Sequence, residues 1–83
     1  MSYNGWKNRA TWNVSLWVSN DQGLYECAMQ YVAWAKENKK RITWKGFVEY
    51  ANLEGDRTGD GYKFDSKVLD TAALAAMLKE MAE

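Results

Sequence analysis

Residues 4–20 constrain the fold of this chain more than any other stretch: Asn4-Gly5-Trp6-Lys7-Asn8-Arg9-Ala10-Thr11-Trp12-Asn13-Val14-Ser15-Leu16-Trp17-Val18-Ser19-Asn20. They hold three of the five tryptophans and four of the six asparagines. Each indole brings a large apolar area that a fold must cover. Each asparagine competes for nearby backbone groups and so marks caps and turns. Two periodicities fit. Trp12, Val14, Leu16 and Val18 alternate with Asn13, Ser15, Trp17 and Ser19, as in a strand over 11–18. Alternatively, Asn8 or Thr11 caps a helix whose apolar residues cover most of its circumference. A strand needs a partner, and only the short runs Arg41–Trp44 and Tyr62–Phe64 are on offer. An isolated two-stranded pairing is marginal. Helix is therefore expected for 8–20, with an α+β arrangement as the alternative. Being apolar on nearly every side, this helix is expected at the centre of the fold. Residues 1–7 read as an arm that Tyr3 and Trp6 fold back.

Three further helices are legible. Ser19-Asn20-Asp21 is a cluster of capping residues, followed by the stripe Leu24, Ala28, Tyr31, Val32 and Ala35, which predicts a helix over 21–38. Its end carries Lys36, Lys39, Lys40 and Arg41, cations suited to the negative end of a helix dipole. Thr43 caps a second stripe of Trp44, Phe47, Val48 and Ala51, a helix over 43–53. With Asp70 as N-cap, Leu69 and Leu74 have hydrophobic-staple spacing, and Leu74, Met77, Leu78 and Met81 continue a helix over 70–82. Residues 54–66 hold three glycines among several aspartates and read as a loop. The expectation is a mostly α, single small domain over residues 1–83: a bundle of about four helices with one Gly/Asp-rich loop.

Composition removes several classes of function. There is no histidine, which takes away the commonest general base and the commonest metal ligand. The single cysteine, Cys27, permits no intrachain disulfide and suits a reducing, cytoplasmic setting. No apolar run approaches the ~18 residues of a membrane span, so no membrane is expected. The loop from Asp56 satisfies half of a calcium-loop pattern through Thr58, Asp60 and Gly61. Its twelfth position, however, is Lys67, where a bidentate carboxylate is required. The carboxylate pairs Glu54/Asp56 and Asp60/Asp65 lie in or beside a glycine-rich loop with nothing in the sequence to position them. No enzyme, no cofactor and no metal is the expectation, with Cys27 as an inert helical thiol.

Binding is what remains. The aromatic count exceeds the needs of a small helical core, and Trp and Tyr are enriched at protein–protein hot spots. Trp6, Trp17, Trp34 and Trp44 are the candidate partner-binding residues, one or two of them at the surface. Lys36, Lys39, Lys40 and Arg41 lie between Trp34 and Trp44, and Lys45 follows directly, a pattern able to hold a phosphate backbone and stack bases. Zero formal net charge argues against a dedicated nucleic-acid binder. The charge is split, however. Residues 1–50 carry seven Lys/Arg against four Asp/Glu, and residues 51–83 carry four against seven. A third reading is a homo-oligomer pairing through the Leu/Met face of 74–81.

The opening stretch also resembles a known family. Asn4-Gly5-Trp6-Lys7-Asn8, Thr11-Trp12-Asn13-Val14, Leu16-Trp17-Val18 and Asn20-Asp21 are similar to the N-terminal motif of short phage-encoded proteins of unknown function. These are met especially in phages of cyanobacteria and other marine bacteria. The match covers about the first 25 residues. Asn8, Thr11, Trp12, Asn13, Leu16 and Asn20 are its structural positions here. The resemblance implies phage origin and expression in the host bacterial cytoplasm, and supplies no catalytic or ligand residue. A small accessory protein that binds a host or defence-system protein is the leading expectation.

Overall fold

A computed structural model describes residues 5–81. Four helices follow one another: α1 (Arg9–Asn20), α2 (Gln22–Glu37), α3 (Trp44–Tyr50) and α4 (Thr71–Met81). Among the described residues no strand forms, and the helical reading of 8–20 holds over the strand alternative. The expected arm at Tyr3, the turn residue Asn4 and residue 82 of the last helix lie outside the described residues.

Each helix starts on a side chain that accepts a first-turn N–H. Asn8 Oδ1 accepts from Thr11 N at 2.8 Å, Asp21 Oδ1 from Leu24 N at 3.0 Å, Thr43 Oγ1 from Gly46 N at 2.9 Å, and Asp70 Oδ1 from Ala73 N at 3.2 Å. These bonds satisfy donors that a helix start leaves open. Asp21 does two jobs: its N–H donates to Trp17 O at 2.9 Å, closing α1, while its side chain opens α2. One residue in extended conformation (ψ 119°) therefore makes the whole corner. Asn20, expected to cap this turn, is instead the exposed last residue of α1. Asp21 supplies the carboxylate one residue later, which makes the Asn20 amide redundant.

The ends of α2 and α3 share one device. Lys40 N donates to Ala35 O and Lys39 N to Lys36 O, with Lys39 in the left-handed region at φ 54°. Leu53 N donates to Val48 O and Asn52 N to Glu49 O, with Asn52 at φ 59°. Both are Schellman closures, built without glycine. The second explains why α3 stops at Tyr50 instead of running to residue 53. Asn52 turns the chain out of the helix, and Leu53 folds back as a buried side chain beside Val48.

The core is assembled from every element. Val14 and Val18 of α1, Ala28, Tyr31 and Val32 of α2, Phe47 and Val48 of α3, and Leu74 and Leu78 of α4 are all at most 3% exposed. Each fully buried Val, Leu or Phe contributes roughly 1.5–3 kcal/mol of hydrophobic stabilisation. The staple residue Leu69 joins them, as does Phe64 from the long connector. Helices α2 and α4 each pack against all three other helices, whereas α1 and α3 do not meet. Residues 8–20 are thus not the centre of the bundle. Ala10, Thr11, Asn13, Val14, Ser15 and Val18 are buried, while Leu16 is 37% exposed and Trp12 and Trp17 are half-buried. The buried face of α1 is small and partly polar because it faces a loop as well as a core. Leu74 and Leu78 are wholly covered by the chain itself, and Met77 and Met81 pack against the same core. Leu74 and Leu78 of the 74–81 face are thus committed to the core, while Met77 and Met81 are half-buried.

Candidate binding surface

Two polar clusters tie α1 to the connector between α3 and α4. At its start, Asn8 Nδ2 donates to Val68 O at 2.7 Å, and Thr11 Oγ1 donates to Asn8 Oδ1 while accepting from Asp70 N at 3.0 Å. The cap of α1 and the cap of α4 are thereby one network. In its middle, buried Asn13 uses both ends of its amide. Its Oδ1 accepts from Thr58 Oγ1 at 2.9 Å, and its Nδ2 donates to Asp60 Oδ2 at 2.8 Å. Trp17 Nε1 donates to the same Asp60 oxygen at 3.0 Å.

The connector is shaped to meet this helix. Thr58 N donates to Tyr62 O, Phe64 N donates to Asp56 O, and an antiparallel bridge joins Arg57 to Lys63. Gly61 turns the tip at φ 94°. Gly59 lies flat against Trp17, where an added methyl carbon would sit 2.5 Å from the indole Cη2 and Cζ2. The hydrogen bond from Asn13, then that from Trp17, and the charge of Arg9 hold the Asp60 carboxyl below its usual range. The loop read as unpositioned is in fact held in place. Asp65 is also engaged, its Oδ2 accepting from Gly55 N at 3.0 Å. Thr58, the middle ligand of the half calcium pattern, is 5% exposed with its hydroxyl bonded to Asn13 and Tyr62 N. Among the described residues no group of three or more metal-ligating carboxylates or thiols gathers. Cys27 is half-buried, and desolvation pushes its thiol up.

The four tryptophans separate by environment. Trp44 is 3% exposed, with its Nε1 donating to Phe64 O at 2.7 Å, so this candidate is a core residue. Trp6 is half-buried on α4 beside Ala73, Ala76 and Met77. Trp17 is half-buried in the Asp60 cluster. Trp34 alone of the four is exposed, at 41%. It does not stand alone. Its ring stacks on Tyr31 (centroids 6.2 Å apart, planes at 28°) and packs on Tyr50 at 5.8 Å, and Tyr50 is 42% exposed. Buried Tyr31 is the floor: its ring also meets Tyr50 at 5.5 Å and Phe47 at 6.0 Å.

Tyr31 also places the cations. Its hydroxyl accepts from Thr43 N at 3.1 Å and lies against Arg41 O at 3.5 Å, which fixes the segment leaving α2. Gly46 makes room for that hydroxyl, since a side-chain carbon there would collide with it. Lys36, Lys39, Lys40, Arg41 and Lys45 are all exposed. Lys40 and Arg41 share with Tyr31, Trp34, Glu49 and Tyr50 the lining of a cavity of about 450 Å³. Arg41 and Lys45 line a second, of about 520 Å³, together with Lys79 of α4. Tyr50 and Lys79 were not singled out from the sequence. Tyr50 had a signal, being a large aromatic outside the apolar stripe of its own helix. The proximity of Lys79, far along the chain, had none.

These features define a small all-helical protein whose polar N-terminal helix braces a long connector and whose exposed aromatics cluster on α2 and α3. Residues 1–83 match the model of a family of unknown function (DUF7249), and the chain belongs to that family. No curated protein and no solved structure matches it.

Proposed function

We propose that this chain is a non-enzymatic phage accessory protein that binds a host or defence-system protein in the bacterial cytoplasm, docking through the face built by Tyr31, Trp34, Tyr50 and Arg41. One observation carries the reading: Trp34 and Tyr50 remain about two-fifths exposed while packed on a buried tyrosine, with Arg41 lining the same cavity. Trp, Tyr and Arg are the residue types enriched at the energetic centres of protein interfaces. Rings held by a rigid floor lose little further freedom on binding. A second reading, single-stranded nucleic acid on the same face, draws on Lys40 and Arg41 standing beside Trp34.

Capture from a host lysate separates the two. Wild-type protein and Trp34→Ala serve as baits, with circular dichroism melts to verify that both are folded. Proteins retained by the wild type and lost with Trp34→Ala support docking through this face. Equal retention by both baits sinks it. Binding of a thymidine oligonucleotide at physiological salt, with no Trp34-dependent protein, moves the assignment to nucleic acid.

A further inference from the structure

The aromatic cavity and the cationic cavity adjoin: Arg41 and Thr43 line both. The aromatic one offers Trp34 and Tyr50 as an apolar seat, with Lys40, Arg41 and Glu49 in the same lining. The second carries Arg41, Lys45 and Lys79, the hydroxyl-bearing Thr43 and Thr71, and no carboxylate among the described residues that line it. Residues 36–45 hold five cations and one anion, Glu37, in a chain that is neutral overall. The cations are thus concentrated on this ridge, with Glu49, Glu54 and Asp65 beside Lys45 on its other flank, and a partner that covers Arg41, Lys45 and Lys79 gains by bringing negative charge.

We infer that the docking face receives an acidic segment of a partner protein with one apolar anchor: the anchor sits on Trp34 and Tyr50, and its carboxylates face Arg41, Lys45 and Lys79. This rests on the docking reading above and adds the chemistry of the partner. A polyphosphate chain fits less well. The two exposed rings lean on each other at 40° with centroids 5.8 Å apart, so they form one packed surface and not a parallel slot for a base. The Glu49 carboxylate in the same cavity would repel a phosphate, whereas a peptide presents an apolar side chain at that point. A carboxylate is matched by the planar donor fork of Arg41, which takes two parallel hydrogen bonds.

Selection of random peptides of about a dozen residues on the immobilised full chain gives the first test. Enrichment of sequences holding several Asp or Glu around one aromatic or long aliphatic residue is expected. An enriched peptide, synthesised and titrated by tryptophan fluorescence, is expected to bind at least about tenfold more weakly when salt rises from roughly 50 to 500 mM. Binding is expected to fall stepwise through Lys45→Gln/Lys79→Gln to Lys45→Glu/Lys79→Glu. Both side chains replaced in these variants, Lys45 and Lys79, are exposed, so the fold is kept. Enrichment of neutral or basic peptides, no enrichment over a blank surface, or indifference to charge reversal overturns the inference, as does a stable dimer by sedimentation that masks the face. Lysate capture separates the two layers. Capture that needs Trp34 but ignores salt and the charge-reversed pair leaves docking in place and removes the acidic segment. Capture indifferent to Trp34 removes docking itself.

Discussion

Asn13→Ala tests the cluster that holds the connector to α1. The side chain is 6% exposed and bonded at both ends of its amide. The Asp60 carboxylate is exposed, and that end is left out of the sum. The Thr58 end is buried, and truncation leaves the Thr58 hydroxyl proton without an acceptor, a loss of about 1–3 kcal/mol. Alanine is the better helix former by roughly 0.6 kcal/mol. The net expected loss is therefore about 0.5–2.5 kcal/mol, with about 4–8 °C in Tm for each kcal/mol in a chain of this size. Urea unfolding followed by tryptophan emission measures it, and Trp17, lying on Gly59, reports the connector directly. Because helix propensity blurs the single variant, the deciding quantity is the coupling with Thr58→Ala. Propensity cancels around that cycle, and a coupling of about 1 kcal/mol or more is expected. A coupling under about 0.3 kcal/mol, the level at which independent sites simply add, refutes the assignment of a buried bond between the two residues.

Two further outcomes follow from the same helix–loop contact. Gly59→Ala forces a methyl against Cη2 and Cζ2 of Trp17 and is expected to cost about 1–3 kcal/mol in a urea melt, with a red-shifted Trp17 emission as the loop lifts; an unchanged midpoint and spectrum would show that the loop does not bear on the indole. The Asp60 carboxyl has a lowered folded-state pKa, so its contribution is complete above the unfolded value of about 3.9 and is lost as pH falls through the lower folded value. Melts between about pH 6 and 2 are expected to fall more steeply for the wild type than for Asp60→Asn, and parallel curves would contradict the two hydrogen bonds to Asp60.

The helices were legible because local rules decide them. The stripes from Leu24 to Ala35 and from Leu74 to Met81 have helical period, and the staple of Leu69 and Leu74 marked the last start. Thr43, Asp70 and Asn8 cap as their positions imply. Two helix ends were harder. Asn20 and Asp21 are both good caps, and only the geometry of a one-residue corner chooses between them. The end of α3 at Tyr50 depends on Asn52 adopting a left-handed conformation, which asparagine permits but does not announce. The misplacement of α1 has a different cause. Counting apolar residues around its circumference makes it look central. Its buried face, however, is Thr11, Asn13 and Ser15 beside Val14 and Val18, because its neighbours include backbone and hydroxyl groups of residues 58–70. No pattern within 8–20 reveals that Asp60 and Thr58 wait some 45 positions away.

The surface was half legible for a related reason. Exposure of a tryptophan depends on whether its N–H finds a partner inside. Trp44 finds Phe64 O and Trp17 finds Asp60, so their polar tips are satisfied by the fold. Trp34 lies off the apolar stripe of α2, and its ring packs on Tyr31 and Tyr50. The residues of the N-terminal motif and those of the proposed docking face are thus divided in labour. Asn8, Thr11, Asn13 and Trp17 are engaged in bracing residues 58–70. The face on α2 and α3 is braced from beneath by Tyr31, whose ring supports Trp34 while its hydroxyl sets the segment bearing Arg41. One buried phenol thereby links the aromatic seat to the cationic ridge, and the two can act as a single surface.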